Sequence, residues 1–290
     1  INTPSPSGHE MELGGQKVWI DYVTPFCNKV DVDSYGNAYA YYGSVPESSG
    51  PIKRVLLDAH ADEIGFYVFD ITDKGFIKIG TLGGSDITIA PSSRVDIWGN
   101  KGKVNGVFGH PAIHVHKREF VHKIENTFID IGVSTKDEVL AKGIEIGTPI
   151  TMSDGYMDLG DYYCGRALDD KIGGFITAQL LKRLFEEDIK LPFELIVINA
   201  VQEEVGLHGA KMVAQNIKPD LAIAIDVTHD TESPAYNKNL QGSLTAGKGI
   251  VIMSAPSLHK NVVKMLKNVA NDFDIPYQQI ASGSSSGTNA

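Results

Sequence analysis

The sequence predicts an α/β fold: a mixed, largely parallel sheet sandwiched by helices, with a small inserted β-barrel-like domain. Three features of the 290 residues carry this expectation. From about residue 161 onward, long helical patterns alternate with short runs that are apolar at nearly every position, "FELIVINAV" and "DLAIAID". Strands buried on both faces have that composition, and they belong to parallel sheets covered by helices. An earlier run, "RVLLDAH" (54–60), is of the same kind. Between them, "GFYVFDI", "GFIKIGTL", "SRVDIWG", "GKVNGVFG" and "TFIDIGV" are short, alternating and punctuated by Gly or Asp turns, as in an antiparallel barrel or sandwich. The expected organisation is a discontinuous α/β domain, residues 1–65 and 159–290, interrupted by a β domain at 66–158.

Taken in order, residues 10–24 have a broadly helical pattern that Gly14 and Gly15 weaken at its start. "KVDVDSYGNAYAYY" reads as two strands joined by a Tyr-Gly-Asn turn, followed by the loop "GSVPESSGP". After the strand at 54–60 come the five barrel segments, with "STKDEVLAKG" as the first helical interruption. "DDKIGGFITAQLLKRLFEED", "GLHGAKMVAQNI" and "SLHKNVVKMLKNVANDF" are the helices of the second half. The tail "ASGSSSGTNA" has the composition of a flexible end.

Composition narrows the function classes. A hydrophobic fraction of 42% supplies a full core, and no apolar run approaches the roughly 18 residues of a membrane helix. The opening "INTPSPSGHE" lacks the basic and apolar regions of a signal peptide, so a cytoplasmic protein is expected. Cys27 and Cys164 are too few for a disulfide framework and are read as reduced structural thiols. A formal charge of −10 argues against a nucleic-acid surface, which needs clustered Lys and Arg. Excess carboxylate suits cation binding.

In open α/β sheets, ligands lie beyond the carboxyl ends of the strands. Three apolar strands here run off into metal-type ligands: one into His60 and Asp62, one into Glu203 and Glu204, one into Asp226. Asp169 and Asp170 open a helix, where the N-terminus favours a carboxylate. Singly, each has an ordinary explanation: a cap, a solvated helix face, a turn. Together they would place one imidazole and at least four carboxylates on one edge, where mutual repulsion calls for cations. Two metal ions need a bridging carboxylate, terminal N or O ligands and a water whose pKa falls toward about 7. A carboxylate off the metals then acts as general base. Because Glu203 and Glu204 are adjacent and diverge, one can ligate while the other takes the proton. Asp62 is placed to accept the second imidazole N–H of His60 and fix its tautomer.

The motifs "SPSGHE", "LLDAHADEIGF", "GRALDDKIGG", "VQEEVGLHGA", "AIDVTHD" and "APSLH" resemble, in order, those of the dinuclear metallo-aminopeptidases known as deblocking, glutamyl or TET aminopeptidases, some of whose members carry an endoglucanase label. The resemblance runs over nearly the whole chain. It implies that Asp169 bridges two divalent ions, zinc or cobalt, with His60 and Asp226 on one ion and Glu204 on the other. It makes Glu203 the catalytic base and Asp62 the acid orienting His60. It further implies release of N-terminal residues from short peptides, and a homo-oligomer, a dimer or a twelve-subunit tetrahedral shell, assembled through the inserted domain. His114, in "GVFGHPAIHVHK", falls where such proteins keep a histidine, and a role near the active site of its own or a neighbouring subunit is one reading. The other is a surface metal trap formed with His116 on one strand face. His110, His122, His208, His229 and His259 are read as structural or solvated.

The pattern departs from the family in two places. The family has a further ligand, a histidine beyond the Gly-Thr loop, and no histidine follows His259 here. This leaves two expectations: a fragment of a longer protein, or a metal-binding oligomer subunit with impaired catalysis. "GTNA" also stands where "GTD" is usual. A carboxypeptidase or deacylase of the same structural clan is the competing enzyme reading. A glycosidase would leave His60 and Asp226 unexplained.

Overall fold

A computed structural model describes residues 1–45, 53–112, 114–115, 121, 123–283 and 287–290. The first helix, α1 (Gly15–Val23), starts five residues later than its pattern suggests. Gly14 adopts φ 91°, and the Glu10 carboxylate turns inward to accept the backbone N–H groups of Gly8 and Gln202, so the stretch before it forms turns. Strands β1 (Lys29–Val32) and β2 (Ala38–Tyr42) form the expected hairpin. The Asp33 carboxylate holds its turn by accepting from Tyr35 N, Asn37 N and the Tyr39 hydroxyl. Most of the loop expected at 43–51 lies outside the described residues. Strand β3 (Arg54–His60) follows.

Six strands then close into an antiparallel barrel: β4 (Gly65–Ile71), β5 (Ile77–Leu82), β6 (Arg94–Gly99), β7 (Gly102–Phe108), β8 (Phe128–Asp130) and β9 (Pro149–Met152), in the order β4-β5-β8-β7-β6-β9. Closure removes exposed edges, and alternation turns Phe66, Val68, Ile77, Ile97, Phe108 and Ile150 into one core. Helix α2 (Lys136–Ala141) is capped reciprocally by Thr135 and Glu138. His114 lies in a turn beyond β7 and not on a strand, and His116, its expected partner on a strand face, lies outside the described residues.

A hairpin of β10 (Met157–Asp158) and β11 (Tyr163–Cys164) leads into α3 (Leu168–Glu186), β12 (Glu194–Ala200), α4 (His208–Ile217) and β13 (Leu221–Ala224). A short α5 (Lys238–Gln241) precedes β14 (Ile250–Ser254), α6 (Lys260–Asp272) and β15 (Tyr277–Ala281), with β14 and β15 paired in parallel. Both cysteines are free; Cys164 is exposed in the hairpin.

The main sheet has the order β1-β2-β12-β3-β13. The last three strands are mutually parallel, while β2 joins β12 antiparallel. One face packs on α1 and α3 through Trp19, Val23, Leu181 and Leu184, and the other on α4 through Val213. The fold is thus the predicted mixed α/β sandwich with a barrel beside it. Because β12, β3 and β13 run in parallel, their carboxyl ends deliver side chains to a single edge.

Candidate metal centre

His60 is the final residue of β3, paired in register with Ala200 of β12. The residue is 2% exposed, and its ring sits between acids on both nitrogens. Nε2 lies 3.0 Å from Asp169 Oδ1 and 3.9 Å from Asp226 Oδ1. Nδ1 lies 3.1 Å from the Asp62 carbonyl oxygen and 3.4 Å from Asp62 Oδ1. Two groups of donor atoms result, each within 4.8 Å of one another: His60, Asp169 and Glu204, and His60, Asp170 and Asp226.

The start of α3 is arranged differently from the sequence reading. Asp169 and Asp170 have non-helical dihedral angles, and the peptide between them is cis. Asp170, not Asp169, caps the helix: Oδ1 accepts Gly173 N at 3.1 Å and Oδ2 accepts His60 N at 3.2 Å. A Cβ at Gly173 would come within 2.4 Å of Asp170 Oδ2, so glycine is what lets the capping carboxylate sit there. With the cap supplied by its neighbour, the Asp169 side chain stays 56% exposed and reaches toward His60 Nε2.

Asp62 is fully buried and acts as a hub. Its carboxylate accepts Ser7 Oγ at 2.6 Å, Glu203 N at 3.0 Å and Glu204 N at 3.2 Å. The turn after β12 is therefore pinned to the turn after β3, with Gln202 at φ 55° between them. Glu203 is 7% exposed, and its Oε1 has no partner among the described residues. Glu204 meets the barrel, since a Cβ at Gly83 would approach its Cβ to 3.1 Å.

Electrostatics express the crowding. Burial pushes Glu203 up to about 7; the His60 imidazole opposes this, and the charges of Asp226, Asp62 and Asp169 add to it. Burial, with Asp169 next, pushes Glu204 to about 7, and burial, with Asp226 next, pushes Asp170 to about 8. Burial opposes a charged His60, yet contacts with Asp169 and Asp62 raise it to about 12. These acids thus demand positive charge in their midst, as a proton on the ring or as a cation. The donors, one imidazole nitrogen and several carboxylate oxygens, are the set that zinc, cobalt and manganese accept, and a ligating histidine must be neutral. The residues fit divalent cations.

Several contributors escaped the sequence reading. Ser7 and Glu10 of "SPSGHE" reach the site across the chain, and Glu63, Arg166 and Lys171 form a buried ionic cluster beneath it, with Arg166 Nη1 2.9 Å from Glu63 Oε2. At the end of the sequence, expected by composition to be flexible, Thr288 and Asn289 are half-buried, and their side chains favour the charged forms of Asp226 and Asp58 respectively. Motif order pointed to "SPSGHE"; nothing local signalled the rest.

The chain resembles proteins of one kind. The model of the M42 glutamyl aminopeptidase family matches residues 36–290. FrvX of Escherichia coli (strain K12), named as a candidate aminopeptidase, is 32% identical over 280 residues, covering 94% of this chain and 75% of FrvX. Among solved structures, the TET aminopeptidase of a marine-sediment Thaumarchaeota archaeon superimposes with a TM-score of 0.87 at 27% identity, over 99% of this chain and 80% of its own. The Pyrococcus horikoshii TET1 peptidase, which can assemble into a tetrahedron or a large octahedral shell, gives 0.83 at 27% identity, over 99% and 83%. The chain belongs to the M42 glutamyl aminopeptidase family and is a hydrolase of the aminopeptidase class.

Proposed function

We propose that this protein removes N-terminal residues from short peptides with two divalent cations, zinc or cobalt, held by His60, Asp169, Glu204 and Asp226, and with Glu203 as general base. The observation that carries the reading is that two three-donor groups share His60 at the carboxyl edge of the parallel strands. When bound, the cations supply Lewis acidity at the scissile carbonyl and neutralise the gathered carboxylates.

The chain's own residues do the rest. Glu203 is buried beside the ligands with one oxygen unpartnered, so it can take a proton from the attacking water. It returns that proton to the amine nitrogen as the C–N bond breaks. Asp62 orients His60 through Nδ1 and fixes the Glu203 and Glu204 backbone, so that one glutamate faces the substrate while the other ligates. Asp170 caps α3 and so sets the direction of Asp169.

The protein acts in the cytoplasm as a homo-oligomer, a dimer or tetrahedral dodecamer. The assembly uses the inserted domain at 66–158, and the α/β domain at 1–65 and 159–290 carries catalysis. The assembling TET1 relative supports the oligomer. Among the described residues, no helix is long and apolar enough to cross a membrane. The test is hydrolysis of a panel of aminoacyl anilides with and without added Co²⁺ or Zn²⁺. Metal-dependent release from substrates with a free α-amine is expected; activity only on substrates with a free carboxylate would establish the carboxypeptidase reading instead.

A further inference from the structure

We propose that the buried Glu63–Arg166 ion pair is a clamp that positions Asp169 against His60, a role that rests on the metal-site reading above. Glu63 lies three residues beyond His60, and the segment before α1 holds its backbone. Glu63 N donates to the Ser5 carbonyl at 2.9 Å, and Ser7 N donates to the Glu63 carbonyl at 3.2 Å. Ser5 N also donates to Glu63 Oε1 at 2.8 Å. The carboxylate is therefore an anchor fixed to the same strand end as His60. Arg166, three residues before Asp169, grips that anchor with Nη1, 3.1 Å from Oε1 and 2.9 Å from Oε2, while its Nη2 donates to the Asn2 carbonyl at 2.9 Å. Beyond Asp169, Lys171 Nζ donates to the Thr3 carbonyl at 2.6 Å and lies 3.4 Å from Glu63 Oε1. Asp169 thus stands on a short loop tied on both sides to one carboxylate and one strap of chain.

The loop needs such a tether. Ala167, between Arg166 and Asp169, has φ 57°, a left-handed conformation that a residue with a side chain keeps only where its surroundings hold it. The Asp169 side chain is more than half exposed, so its aim comes from its backbone. A guanidinium fork can span a carboxylate and a carbonyl at once, which fixes direction as well as charge. The side chains of Arg166 and Glu63 are 12% and 3% exposed. Removing one partner of so buried a pair leaves a charge uncompensated, whereas removing both does not. Stability therefore follows the unpaired charge, and the aim of Asp169 follows the lost tether. Glu63 and Arg166 are positioning residues: they act through the Asp169 loop.

Two measurements on the full-length protein separate these effects: Zn²⁺ affinity by competition with a chromophoric chelator, and thermal unfolding of the chelated protein. Glu63→Gln is expected to lower the unfolding midpoint by about 10 °C and to weaken Zn²⁺ binding by about 10-fold. Adding Arg166→Met to that variant removes the second charge, and the midpoint is expected to return to within a few degrees of wild type. Zn²⁺ binding in the double variant is expected to stay about 10-fold weaker, with the visible absorption of bound Co²⁺ altered from that of wild type. Should Glu63→Gln fail to fold, the double variant decides, since on this proposal it folds and still binds Zn²⁺ weakly. Affinity that recovers together with the midpoint, or that never changes, overturns the clamp and leaves the pair a prop of the fold. Anilide hydrolysis in parallel keeps the two readings apart. A wild type that binds Zn²⁺ yet hydrolyses nothing sinks the function alone, and an active wild type whose double variant binds Zn²⁺ normally sinks the clamp alone.

Discussion

The Glu203 carboxylate carries an unpartnered oxygen at a position 7% exposed, and a buried acceptor left unpaired costs free energy of about 1–3 kcal/mol. Such a cost is tolerated where the group is paired during turnover. Glu203→Gln keeps shape and removes the exchangeable proton, so kcat is expected to fall by about 10²- to 10⁴-fold with bound metal per chain unchanged. Full metal-dependent turnover in that variant would remove Glu203 from the role. A second residue reports through stability. Burial pushes Glu10 up to about 7, against the hydrogen bonds from Gly8 and Gln202 that favour its charge. The folded state therefore holds a proton on Glu10 that the unfolded chain releases near its ordinary value of 4.5. The sign follows: this stabilisation is complete below about 4.5 and is lost as pH rises through about 7. Urea unfolding of the chelated protein at pH 5 and pH 8 is expected to show a wild-type decline, of which Glu10→Gln removes up to about 3 kcal/mol. Equal slopes in the two proteins would refute the buried titration.

Two elements aim the proposed ligands, the start of α3 and the turn after β12. At α3, Gly173→Ala would put a methyl group 2.4 Å from Asp170 Oδ2. The carboxylate must then leave Gly173 N or His60 N. Losing the cap costs about 0.5–2 kcal/mol, and misdirecting Asp169 and His60 is expected to lower Zn²⁺ affinity by about 10-fold. Wild-type affinity in that variant, measured by chelator competition, would show that the cap does not aim the ligands. The legibility of these elements differs for a physical reason. His60, Glu204 and Asp226 could be read because a parallel strand and the acid that follows it are contiguous, and the strand-end rule needs no knowledge of the partner strand. The barrel was legible because alternation is local too. Asp170's capping of α3 was not, because two adjacent aspartates compete for one cap and backbone dihedral angles decide between them. Ser7 on Asp62 and Glu10 on Gln202 N join positions 55 and 192 residues apart, beyond any periodicity. The tail misled for the converse reason: Gly and Ser dominate its composition, while Ala281 pairs with Ser254 in β15 and Ser282 N donates to the Ser254 carbonyl at 3.0 Å.

Across the whole molecule, charge is distributed unevenly between the two layers of architecture. The barrel core is closed by apolar side chains from all its strands. The edge of the α/β sheet instead gathers Asp62, Asp169, Asp170, Glu203, Glu204 and Asp226 around one imidazole, and burial raises several of them toward neutrality. Bound cations are therefore expected to stabilise that edge, because positive charge relieves the repulsion among its acids. A cation that binds the folded chain alone at 100 times its Kd adds about 2.7 kcal/mol. For a chain of this size that corresponds to a rise in unfolding temperature of about 5–10 °C, so exhaustive chelation should lower Tm by that amount and re-addition of Zn²⁺ or Co²⁺ should restore it. Hydrogen exchange localises the effect. Amides of β13 and the first turns of α3 should lose protection on chelation, while those of β4 to β7 in the barrel should keep theirs. A Tm indifferent to chelation would mean that these acids carry their repulsion without help from metal, and uniform loss of protection would mean that barrel and sheet unfold as one unit.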